Sequence, residues 1–213
     1  PNDKLTGIQR IEAGSRLNSR PVDGSPCRFR TAYDVDLLPI EIESASLQSA
    51  APVDGRGKYS ECQIKIAVRC FGNAKLSDLK YGTDSSSARS MRFFIDGDPQ
   101  LAHPLYEMIF NRAESVEIRP REAPLGSETM MSMVNVQLRP PDKVKMSASD
   151  AIGKVGFGDD ESLLPYTKRS FMGYRLLSEY FAFSQKFMFF DVHGLDRAAA
   201  SGFGSHFEIV INL

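Results

Sequence analysis

The segment 162–191 constrains this chain more than any other. It reads SLLPYTKRSFMGYRLLSEYFAFSQKFMFFD and holds nine aromatic rings in a chain of 213 residues with 14 Phe and 7 Tyr. Each ring can bury ~150–250 Å², so such a concentration marks a place where elements pack. Tyr174, Leu177 and Phe181 fall at steps of three and four, with Leu176 and Tyr180 on the neighbouring flank. That spacing predicts an amphipathic helix starting near Gly173. Phe187, Met188, Phe189 and Phe190 then run together between Lys186 and Asp191, the pattern of a short strand buried on both faces. The expected role is an aromatic core that locks a helix onto a sheet, in preference to a groove for an aromatic ligand.

A chain of 213 residues can bury about 70% of its unfolded surface and needs no staples to hold a core. Its formal net charge of −1 argues against neutralising phosphates, so nucleic acid is not an expected partner. No apolar run approaches the ~20 residues that span a bilayer, which argues against direct membrane insertion. Cys27, Cys62 and Cys70 are odd in number and irregular in spacing, which suits reduced thiols and a cytoplasmic setting. The chain begins at Pro1 and reads as an internal piece of a longer parent.

Residues 1–27 form a polar lead-in with one short strand expected around 6–11. Residues 28–213 read as a β-rich domain, taken whole or as two subdomains parting near 140–150. Phe29, Thr31, Tyr33 and Val35 alternate with polar residues as in a half-buried strand, which Pro39 bends or confines to an edge. Residues 49–58 and 82–90 are loops, and 76–79 a helical turn. The strand over 59–71 points Cys62, Ile64, Ile66 and Val68 one way, so its sheet keeps a wet face and is antiparallel. After a strand at 91–95, Asp98 caps a helix with Pro99 at its first position. Leu101, Leu105, Met108 and Ile109 supply its buried face, and Pro104 kinks it or delays its start to His103. Further strands are expected at 115–119, at 129–138 with Met131, Met133 and either Val134 or Val136 alternating with polar partners until Pro140 and Pro141 stop it, and at 206–213 with Phe207, Ile209 and Ile211 alternating. Segment 151–158 is a glycine-dotted strand or loop, and 159–162 a solvated acidic loop. Many amphipathic strands, two convincing helices and no β-α alternation predict a mainly β, α+β fold. Its form is antiparallel, β-sandwich-like sheets with one or two inserted helices.

Chemistry is sparse. Asp96-Gly97-Asp98 after an apolar strand matches the Asp-x-Asp with which a metal-dependent glycosyltransferase holds Mg²⁺ or Mn²⁺. A turn at Asp96-Gly97 and a cap at Asp98 account for the same residues without a metal. Gly153 to Gly158 lacks the Gly-Lys-Ser/Thr ending of a phosphate loop. His103, His193 and His206 stand at unrelated spacings, and Ser205 is in no nucleophile elbow. A carbohydrate-binding β-sandwich would display flat aromatics, yet the chain has no Trp. The residues point to no enzyme activity, no cofactor and no metal site.

Several blocks closely resemble the TssF (VasA/ImpG) family of bacterial type VI secretion systems. They are Gly156-Phe157, Glu161 through Tyr166, Ser170 through Phe183 and Lys186 through Asp191 with Gly194-Leu195. Phe29-Arg30-Thr31 through Leu38-Pro39-Ile40, and Arg92 through Pro99 with Leu105-Tyr106, fit the same family. Ser184 stands where the family pattern suggests proline. The matched motif core comprises Asp96, Asp98, Pro99, Leu164, Pro165, Tyr166, Phe171, Gly173, Tyr174, Tyr180, Phe181, Phe187, Phe190 and Asp191. The resemblance implies a baseplate wedge component without chemistry. It would join TssG-like and TssK-like proteins and a second TssF copy, and help seed the tail tube and sheath on the cytoplasmic face of the inner membrane.

Overall fold

The computed structural model describes residues 7–49, 62–72, 74–81, 86–87, 90–121, 141–163, 166–167 and 169–213. The strand expected at 129–138, most of the loops at 49–58 and 82–90, and the motif residues Leu164 and Pro165 lie outside these. In chain order the strands β1 (Gln9–Ile11), β2 (Arg16–Val22), β3 (Ser25–Arg30), β4 (Val35–Leu37), β5 (Ile40–Ser49) and β6 (Cys62–Cys70) come first. Next are β7 (Lys80–Tyr81), β8 (Ser86–Ser87), β9 (Ser90–Phe94), helix α1 (Pro99–Asn111), β10 (Ser115–Pro120) and β11 (Val144–Ser147). The single turn α2 (Ala148–Ala151), β12 (Ile152–Lys154), α3 (Met172–Ala182), β13 (Phe189–His193), α4 (Leu195–Ala200) and β14 (His206–Asn212) complete the order.

Two antiparallel sheets carry the architecture, with strand orders β11-β10-β14-β6-β5 and β12-β13-β9. Three two-stranded ribbons, β1-β4, β2-β3 and β7-β8, accompany them. One buried cluster joins Ile66, Val68, Ile118, Ile209 and Ile211 of the larger sheet to Met91, Phe93, Phe190 and Val192 of the smaller. The expected mainly β fold with antiparallel sheets is therefore what the chain adopts.

Local chemistry explains the elements, and several differ from expectation. β6 alternates as its sequence indicates, but it lies between β5 and β14 and buries most of both faces. β14 buries Val210 fully along with the alternating Phe207, Ile209 and Ile211, so both of its faces are covered there. Val210 stands between Glu117 and Lys65 in register, where long aliphatic stems of charged residues can cover it. β3 is exposed throughout, Phe29 included, because among the described residues it pairs with β2 alone, in a two-stranded ribbon. In the segment 187–190, Phe187 ends a 3-10 turn, Ser184–Phe187, and the strand proper begins at Phe189. β13 then alternates half-buried and buried residues and is not apolar on both faces.

The one-turn α2 and α4 have too few residues for helical periodicity to show. α4 follows Gly194, whose φ of +95° favours glycine, and a Cβ there would lie 2.3 Å from Met146 Cε. Leu195, Ala198 and Ala199 of α4 are buried in the common core.

Candidate interaction face on helix α3

α1 begins as its sequence dictates. The Asp98 side chain accepts a hydrogen bond from Gln100 N at 2.8 Å, and Pro99 occupies the first turn, where its missing N–H leaves no orphan. Pro104 sits inside a helix that runs unbroken from Pro99 to Asn111. Its buried residues are Ala102 and Ile109; Leu101, expected to face inward, is exposed. Asp96 and Asp98 are both exposed, and among the described residues no group of three His, Cys, Asp or Glu is placed to hold a metal. The carboxylate of Asp98 is used as a cap.

The motif segment places three of its charges inside. Arg175 and Glu179 of α3 are 7% and 8% exposed, and Lys186 in the following 3-10 turn is 1% exposed. Lys186 Nζ donates to Glu179 Oε2 in a short charge-assisted hydrogen bond. Glu179 Oε1 accepts from Leu163 N at 2.9 Å. Arg175 Nη2 donates to the Gly158 carbonyl at 3.0 Å, and the guanidinium lies 4.9 Å from the centre of the Tyr166 ring. Its Nε and Nη1 are buried without a hydrogen-bond partner, which costs about 1–3 kcal/mol for each donor. Tyr166 in turn donates to Asp159 Oδ1 at 3.1 Å.

A second set of charges fixes the loop beneath α3. Glu161 Oε2 accepts from Gly156 N at 2.7 Å and Gly158 N at 3.0 Å, while Oε1 lies 3.4 Å from Arg92 Nη2. Arg92 also grips Asp191 through Nε and Nη2, both at 2.9 Å. That hydrogen bond raises the Arg92 pKa above its ordinary value against the opposing effect of burial. Nearby, burial pushes the Tyr33 hydroxyl up. The acidic segment is thus a 3-10 turn, Asp159–Glu161, tied down by Glu161, where the sequence suggested a solvated loop.

The aromatic residues of α3 face outward, contrary to the expected core. Phe181 is 83% exposed, Phe171 72% and Tyr174 69%, and Leu177, Tyr180 and Phe183 are exposed as well. Only Phe187 and Phe190 of the segment's aromatic residues are fully buried. Helical periodicity reveals that two faces differ but not which one is covered. Here Glu179 pairs with the nearby Lys186 while Arg175 bonds the Gly158 carbonyl and stacks on Tyr166, and the inner face takes all three. Since α3 carries no other charged residue, its outer surface is uncharged.

Next to this surface a cavity of about 400 Å³ opens between α1 and α3. His103 and Tyr106 line it from α1, Leu177 and Tyr180 from α3, and Phe157 and Phe187 from the connecting segments. Burial pushes the Tyr106 hydroxyl up. Phe187 joins the walls, 5.0 Å from the Phe157 ring and 6.0 Å from Tyr180. The structure thus brings Tyr180 and Phe187 together at the cavity, puts Phe171 and Tyr174 edge-to-face at 5.8 Å on the outer ridge, and leaves Asp96 and Asp98 apart from both. Sequence reasoning missed Arg92, Glu161, Arg175, Glu179 and Lys186. The four-residue step from Arg175 to Glu179 was the available signal.

The family model described as "Type VI secretion system, TssF" matches residues 1–213. The chain belongs to the TssF family. A curated relative, "Type VI secretion system component TssF1" of Pseudomonas aeruginosa, is 31% identical over 217 residues, covering 99% of this chain and 31% of the relative. This TssF chain therefore spans about a third of that relative's length. The fold also matches a chain in the cryo-electron microscopy structure of the type VI secretion system TssK-TssF-TssG baseplate subcomplex. That match has a TM-score of 0.68 and 22% identity, and covers 100% of this chain and 34% of the other.

Proposed function

We propose that this TssF-family chain is part of a non-enzymatic structural component of the baseplate wedge, assembling with TssG-like and TssK-like proteins to seed the contractile tail. The observation that carries this is the inverted helix: α3 buries its charges and presents an uncharged aromatic ridge beside an apolar cavity. Exposed apolar patches of this kind mark protein interaction sites. The named side chains amount to roughly 700 Å², taking ~150–250 Å² for each ring and its exposed fraction. A stable interface buries about 800 Å² per partner. The apparatus in which it acts sits on the cytoplasmic face of the inner membrane and includes a second TssF copy and the tail tube and sheath. Among the described residues no helix is long and apolar enough to cross a membrane.

Co-expression of the tagged chain with the TssG-like and TssK-like proteins of the same organism tests the reading. Co-elution of a stable complex is expected, and Phe181→Ser should abolish it without lowering the melting temperature. Folded chain that elutes alone contradicts the assignment.

A further inference from the structure

The hairpin of β2 and β3 is an arm that concentrates positive charge. Residues 16–30 contain four arginines and a single acid, Asp23, in a chain whose formal net charge is −1. Asp23 and Gly24 take φ of +51° and +81° and close the tip as a two-residue turn, which sets the one acid at the far end. Every residue of the arm except the half-buried Ser19 is exposed. Among the described strands β2 and β3 pair with each other alone, and the hydrogen bond from Gly14 N to Thr31 O holds the base.

Pairing sorts the side chains onto two faces. Thr31 N donates to Ser15 O, so Arg16 opposite Arg30 is the non-bonded pair that follows. Such pairs stand only ~4.5 Å apart at Cα and bring their side chains close on one face. Asn18 opposite Arg28 is the next pair on that face, so Arg16, Arg28 and Arg30 crowd together. Leu17 and Phe29 occupy the other face, 48% and 59% exposed. Like charges directly opposite one another destabilise a ladder. Elsewhere Arg10, Arg69, Arg92, Arg119 and Arg121 each hold a carboxylate at hydrogen-bonding distance. Arg16, Arg20, Arg28 and Arg30 have no carboxylate partner among the described residues.

We propose that this arm inserts into an acidic cleft of a partner protein in the baseplate, its arginine face gripping carboxylates while Leu17 and Phe29 meet an apolar wall opposite. All four cations are arginine, whose planar fork binds both oxygens of a carboxylate at once. Phosphates also fit the fork, but a bilayer surface or a nucleic-acid backbone presents anions alone and leaves the Leu17-Phe29 face in water. A protein supplies carboxylates and apolar side chains together. The rival occupant is an acidic surface elsewhere in a longer parent. Within one chain an ion-paired contact adds little over an apolar one, because desolvation offsets the attraction. Between separate molecules the same charge steers encounter and fixes register, so an unanswered arginine cluster suits a surface that has to find its partner. The inference rests on the baseplate reading only for the identity of that partner.

The test uses the full-length parent with the TssG-like and TssK-like proteins of the same organism. An arginine-directed dicarbonyl, read by mass spectrometry, should modify Arg16, Arg28 and Arg30 in the free parent and spare them in the assembly. The triple variant Arg16→Gln, Arg28→Gln, Arg30→Gln removes the like charges, so its melting temperature should not fall. Its recovery of partner should drop about tenfold or more, the effect of even one lost charge-assisted hydrogen bond. Arginines already shielded in the free parent would assign the arm to an intramolecular surface, and arginines equally reactive in the assembly would leave it unoccupied. Either result overturns the inference while the baseplate reading stands, and so does unchanged recovery by the triple variant. Loss of binding to phosphatidylglycerol vesicles or duplex DNA in that variant, with recovery of partner unchanged, would reassign the arm to phosphates. A wild-type parent that recovers neither protein overturns both readings.

Discussion

Lys186→Met tests the reading that α3 is held by its charges. Lys186 is 1% exposed and its ammonium is bonded to Glu179, itself 8% exposed. Methionine keeps the unbranched apolar stem and removes the charge, which leaves the buried Glu179 carboxylate hydrogen-bonded, among the described residues, to the Leu163 amide alone. Breaking a buried pair by removing one partner costs about 3–5 kcal/mol. For a domain of this size each kcal/mol shifts the melting temperature by about 2–4 °C, so a fall of roughly 6–20 °C is expected. Circular dichroism melts and urea titration measure it. The double variant Lys186→Met, Glu179→Gln removes both charges and should recover part of the loss, with a coupling of about 1–3 kcal/mol across the cycle. A single variant that melts within about 2 °C of wild type would refute the claim that the pair anchors the helix.

Other outcomes follow from burial and charge. Phe181→Ser on the ridge should change stability by less than about 0.5 kcal/mol, whereas Phe207→Ala in β14 should cost about 3–5 kcal/mol; similar losses would show that the ridge is covered in the isolated chain. Burial alone would raise the pKa of Glu117, but hydrogen bonds and charges from Arg119 and Lys143 hold it below its ordinary 4.5. A depressed carboxylate gives stability that is full above the unfolded-state value and is lost as pH falls through the folded one. The stability gap between wild type and Glu117→Gln should therefore be constant from pH 7 to about 5 and shrink below it, and a gap independent of pH would contradict the assignment. Burial pushes the Cys70 thiol up to about 11, while Cys27 is exposed. A thiol reagent at pH 8 should label Cys27 at once and Cys70 only after denaturation; rapid native labelling of Cys70 would place it outside the core.

The elements that sequence revealed are those whose local chemistry decides them. Asp98 and Pro99 start α1 because a cap and a missing N–H act within one turn. The alternation of Cys62 through Cys70 marks β6 because β-branched and small apolar residues recur at period two. What stayed hidden depends on partners distant in sequence. α3 was legible as an amphipathic helix, but its inner face is chosen by Gly158, Leu163 and Lys186, and no periodicity within 172–182 encodes them. Arg92 and Asp191 are 99 residues apart and meet only because β9 and β13 are neighbours. β14 reads as half-buried because its own alternation cannot show that Val210, set between Glu117 and Lys65 of neighbouring strands, is buried too.

Oxidative footprinting of the aromatic ridge, in the free chain and in the purified assembly with TssG-like and TssK-like proteins, tests the central claim most directly. Phe171, Tyr174 and Phe181 should be modified rapidly in the free chain and protected in the assembly, with Phe207 unreactive in both. Equal modification of the three ridge residues in the two states would contradict the account of α3 as the face through which this domain assembles.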